Sequence, residues 1–87
     1  MNLSAAGNVV VPAYLSLLAK GFAVSCVRAL DGTETWTAEG ALGRFMADDV
    51  ITLLGVVGVA EVRGANWAAS DSEIDAFLKK FGYESGT

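Results

Sequence analysis

The chain has 87 residues, 53% hydrophobic and 18% charged, with six Lys and Arg against ten Asp and Glu for a formal net charge of −4. That length fits one domain, 1–87, and the scattered cations supply no clustered footprint for nucleic-acid binding. With no histidine and a single cysteine, Cys26, there is no internal disulfide, no Cys/His zinc set and no His-activated nucleophile.

Residues 1–7 lack any period and are expected to be flexible. "NVVVPAYLSLLAKG" then reads as a helix. Asn8 is a candidate N-cap, and Pro12 requires a position in or near the first turn because it has no backbone donor. Val11, Tyr14, Leu15 and Leu18 share one face. Lys20 suits the negative helix end, and Gly21 the residue that ends it.

"FAVSCVRAL" alternates with period two and carries aromatic and β-branched residues, so it reads as a strand with Phe22, Val24 and Cys26 on one face. Cys26 is expected to be buried as a small hydrophobe. "DGTE" makes a turn, and "TWTAE" returns as a second strand around Trp36. "GRFMA", residues 43–47, is a candidate third strand. Asp48 is expected to cap the next helix, with Asp49 beside it at the positive end.

That helix runs from about Val50 to Arg63 and stops at Gly64. Only Thr52 is polar between Val50 and Ala60, yet the run is too short for a bilayer span of about 20 residues. Together with the absence of a basic leader region at the N-terminus, this predicts a cytoplasmic protein. Placed 100° apart, Val50, Leu53, Leu54 and Val57 form the stripe expected to meet the sheet. Ile51, Gly55, Gly58 and Val62 form a second side, where the glycines predict the close approach of another helix. Thr52, Val56, Val59 and Arg63 form a third side, expected to meet either the domain itself or another protein chain, since monomers seldom leave large apolar patches bare. Glu61 is expected either to rest in water or to pair with Arg28 or Arg44.

"ANWAA" connects to "SDSEIDAFLKKF". Ser70 and Glu73 have capping-box spacing, and Ile74, Phe77, Leu78 and Phe81 are expected to face the core. Asp75 and Lys79 lie four apart in the favourable order. The fold class is therefore α+β: three helices with a two- or three-stranded antiparallel sheet, in the order α-β-β-(β)-α-α. The tail, 83–87, is expected to be flexible.

"NVVVPAYLSLLAKGF", "WTA", "FMADD", "LLG", "EVRG" and "WAASDSEIDAF", taken in order, resemble a set of small uncharacterised bacterial α+β proteins, some regarded as immunity-type partners of secreted toxins. The resemblance spans Asn8 to Phe81. It rests on core, cap and turn positions, and no functional residue is carried over from it.

No nucleotide loop, EF-hand spacing or other metal or cofactor motif is present, and the acidic pair Asp48–Asp49 is accounted for by capping. The expected function is a non-enzymatic protein-binding module without cofactor. Its partner is expected to be a second copy of itself or a basic protein, as for an inhibitor or immunity protein, with no nucleic-acid or membrane partner. The interface candidates are Thr52, Val56, Val59 and Arg63. A small-ligand or sensor domain is the alternative, with Tyr14, Phe45, Trp36 and Trp67 lining a pocket.

Overall fold

The computed structural model describes residues 1–4 and 8–82. Of the segments expected to be flexible, 1–7 and 83–87, residues 5–7 and 83–87 lie outside the described residues. The elements are α1 (Val10–Ala19), β1 (Ala23–Arg28), β2 (Glu34–Gly40), β3 (Gly43–Ala47), α2 (Val50–Arg63), one 3-10 turn (Gly64–Asn66) and α3 (Asp71–Lys80). This is the α+β order read from the sequence, and the third strand is present.

The sheet is antiparallel in the order β1-β2-β3. Its register places Val24, Ala38 and Phe45 in one cross-strand row and Cys26, Trp36 and Ala47 in the next. The first hairpin turns through Asp31, whose Oδ1 accepts from the Thr33 backbone N–H at 3.0 Å and its hydroxyl at 2.7 Å. These bonds hold the Asp31 carboxyl below its ordinary range, the backbone donor being the larger cause. Gly40 closes the sheet against Phe22: a Cβ there would stand 2.9 Å from the ring Cδ1. Phe22 in turn meets Phe45 edge-on at 6.0 Å.

Helices α1 and α2 pack on each other and on one face of the sheet. The core comprises Ala13, Leu17, Phe22, Ala38, Val50, Leu53 and Val57, with Tyr14, Val24, Trp36, Phe45, Ala47 and Leu54 packed around it. The expected sheet-facing stripe of α2 is thus the one that is buried. The expected face of α1 is not. Ala13 and Leu17 are buried, whereas Val11, Leu15 and Leu18 are exposed. Apolar residues surround this helix, so their spacing marks no single side.

The caps differ from expectation by one residue in each of the first two helices. Val9 is the N-cap of α1 and makes no side-chain cap bond, so Asn8 plays no such part. Pro12 is the third helical residue, within the first turn whose N–H groups lack intrahelical partners anyway. Asp49, not Asp48, caps α2: its carboxylate accepts from the Thr52 N–H at 2.7 Å and the Thr52 hydroxyl at 2.8 Å. These two donors, the backbone one foremost, hold the Asp49 carboxyl below its ordinary range. Gly64 ends α2 at φ 63, a conformation that side chains with a Cβ avoid.

Two further expectations, for Cys26 and for Gly55 and Gly58, fail on tertiary grounds, and one of the two alternatives for Glu61 falls away. Cys26 is exposed, because β1 is an edge strand and the helix layer does not cover its far end. Glu61 is exposed, the first of its two expected outcomes, and pairs with neither strand arginine. It accepts from Lys20 Nζ at 2.8 Å and ties the end of α1 to α2. Arg28 instead binds Glu34, which also accepts from Trp36 Nε1 at 3.0 Å. No helix approaches Gly55 or Gly58: a Cβ on either would meet nothing within 4 Å.

The largest departure is α3. Its ends form as read, with Ser70 Oγ accepting from the Glu73 N–H at 3.2 Å and Glu73 accepting from the Ser70 N–H at 2.8 Å. Asp75 and Lys79 pair at 3.0 Å. Yet α3 makes at most marginal contact with any other element, and Ile74, Phe77 and Phe81 remain 47%, 55% and 58% exposed. The radius of gyration, 15.7 Å, exceeds the ~12 Å of a compact chain this long, consistent with a helix that stands off the body.

Candidate protein-binding surface

The third side of α2 runs beside β3, one of the two edge strands of the sheet. Between them lies a groove of about 410 Å³ lined by Phe45, Met46, Val56, Val59, Ala60 and Trp67, with Arg44 at its wall. Each wall follows from local structure. Strand alternation offers Phe45 and Met46 on opposite faces of β3, and at an edge strand both border the groove. Helical spacing aligns Val56, Val59 and Ala60.

Trp67 reaches the groove because the chain is clamped after α2. Arg63 Nε donates to the Trp67 carbonyl at 2.9 Å, and Nη2 to the Ala68 carbonyl at 3.4 Å. Nη2 also stands 3.5 Å from Glu73 Oε1 in α3. The Glu73 carboxyl is held below its ordinary range, first by the Ser70 backbone N–H and then by the Ser70 side chain and Arg63.

The four interface candidates thus divide. Val56 and Val59 line the groove. Thr52 belongs to the α2 cap, and Arg63 fixes the α2–α3 connection. The four pocket candidates divide as well. Phe45 and Trp67 share the groove with the two valines. Trp36 borders a separate depression of about 280 Å³ with Val10, Glu34, Asp49, Val50 and Ile51, and Tyr14 packs against the core. Met46 was absent from both candidate sets. Its position on a predicted strand next to Phe45 was legible, but its place on an open edge was not.

The groove is predominantly apolar. Among the described residues Arg44 makes no ion pair, and no cluster of three His, Cys, Asp or Glu is placed to hold a metal ion. No described helix is long and apolar enough to cross a membrane. Comparison with protein families, with curated proteins and with solved structures finds no match to this chain.

Proposed function

We propose that this chain is a non-enzymatic protein-binding module that uses the β3–α2 groove to engage another polypeptide. The observation that carries this reading is the groove itself: Met46, Val56, Val59 and Trp67 are large apolar side chains, all exposed, gathered in one concave strip. Among the described residues, seven apolar side chains are buried while many larger ones are not. Bare apolar strips of this kind mark interaction sites. The partner is a second copy or a basic protein. The net charge of −4 favours a basic surface by long-range attraction, and an inhibitor or immunity protein acting on a basic toxin fits that chemistry and the resemblance noted above.

Sedimentation of the wild type across a concentration series, beside Val56→Lys/Val59→Glu, tests the reading. The wild type is expected to associate, and the double variant to keep its far-UV ellipticity while remaining the smaller species. A variant that unfolds would place these valines in the core and sink the idea. A wild type that stays monomeric removes the self-partner and leaves the basic protein.

A second reading, a small-ligand domain, draws support from the size of the groove, which falls within the ~300–1,000 Å³ of ligand pockets, and from its two aromatics, Phe45 and Trp67. Trp67 emission reports on it. A library of apolar small molecules that leaves this emission unmoved in Trp36→Phe protein counts against it.

A further inference from the structure

The chain carries two apolar surfaces of complementary shape. One is the concave strip between β3 and α2. The other is convex: the face of α3 bearing Ile74, Phe77, Leu78 and Phe81, with the Phe77 and Phe81 rings 5.0 Å apart. A groove-and-helix pair is a common recognition mode, with anchors spaced at three or four residues.

The two surfaces do not meet within one copy. Only Ala68 to Ser70 separate Trp67, which lines the groove, from the first turn of α3. The carbonyls of Trp67 and Ala68 are both held by Arg63, and Glu73 lies beside the same guanidinium. This clamp sets the direction in which α3 leaves, away from the body. The capping box and the Asp75–Lys79 pair lie within α3 and support it locally, which offsets part of the ordering cost of docking.

We infer that two copies of this chain exchange their α3 arms, each arm lying in the β3–α2 groove of the other copy. The inference rests on the protein-binding reading above and names the occupant of that groove. Electrostatics agree. The groove wall carries Arg44 and the first turn of the arm carries Asp71, and neither has an ion-pair partner among the described residues. Exposure agrees as well. Ile74, Phe77 and Phe81 on the arm and Met46, Val56, Val59 and Trp67 in the groove are all exposed, so each reciprocal contact removes apolar surface of both copies from water. Exchange of identical elements about a two-fold axis closes on itself and leaves no free arm.

The test combines mass and cross-linking on the full chain. Wild type is expected to sediment at twice 9.0 kDa, and Ile74→Lys/Phe81→Lys at half that mass with the unfolding midpoint of its body retained, since the packed body does not rest on α3. In a Cys26→Ser background, Val59→Cys and Ile74→Cys proteins carrying different affinity tags are mixed and oxidised, and a 59–74 disulfide between the two tags is expected. A dimer that survives Ile74→Lys/Phe81→Lys but dissociates with Val56→Lys/Val59→Glu overturns the exchange and leaves the groove as an interface. A dimer indifferent to both pairs overturns the groove reading too. A monomeric wild type whose Val59→Cys/Ile74→Cys form closes within one chain shows the arm folding back, and also overturns the exchange.

Discussion

Replacing Gly55 and Gly58 together by alanine tests whether the outer side of α2 is open. Each glycine lies inside a fourteen-residue helix, and at each a Cβ would meet no atom within 4 Å. The added methyls therefore meet no steric opposition, and the intrinsic preference of the helix is left to decide. That preference favours Ala over Gly by about 0.8–1.0 kcal/mol per residue, chiefly because the unfolded chain loses freedom. Neither added methyl would meet a neighbouring atom, so the two propensity gains sum to about 1.6–2.0 kcal/mol. In a domain of this size that raises the thermal midpoint by roughly 6–16 °C. The assay is urea unfolding followed by far-UV ellipticity, at protein concentrations low enough to keep the chain monomeric. A midpoint that falls, or does not move, would refute the reasoning. It would mean that a backbone approaches these glycines in solution, as their spacing alone suggested.

Gly40→Ala should act in the opposite sense. Its Cβ would stand 2.9 Å from Phe22, whose ring is buried against Phe45 and has little room to move. Overpacking of this kind costs about 1–3 kcal/mol, and an unchanged urea midpoint would show that the ring yields. Ser70→Ala removes an N-cap worth about 1 kcal/mol, yet α3 barely touches the body. The loss should appear as faster amide hydrogen exchange over 71–80 in dilute protein while the global midpoint holds, and a midpoint that drops by the full amount would show α3 docked. Acid should erode the start of α2. The folded Asp49 carboxyl titrates below its ordinary value of about 4, so its stabilisation is complete above that value and is lost as pH falls through the lowered one. Asp49→Ala should therefore lower the urea midpoint at pH 7 and converge on the wild type once the pH falls below the lowered folded value, and a gap that stays constant with pH would exclude the carboxylate as the cause.

Element order and type were legible in the sequence because they rest on local energies. Period-two alternation in "FAVSCVR" and "TWTAE", the turn chemistry of Asp31 and Gly32, the stop at Gly64 and the S-x-x-E box at Ser70 each act within a few residues of one another. The main stripe of α2 was legible too, because Val50, Leu53 and Val57 sit where a 3.6-residue period meets a sheet.

The side each helix turns inward, and whether it turns inward at all, was decided only by tertiary structure. Helix α1 is apolar nearly all round, so nothing local distinguishes Ala13 and Leu17 from Leu15 and Leu18. Lys20 and Glu61 are forty-one positions apart, and only the packing of α1 on α2 brings them together. Helix α3 has the clearest amphipathic pattern of the three. A pattern states that a face avoids water and not what will cover it. The Arg63 clamp on Trp67 and Ala68, which no periodicity encodes, points that face away from its own core.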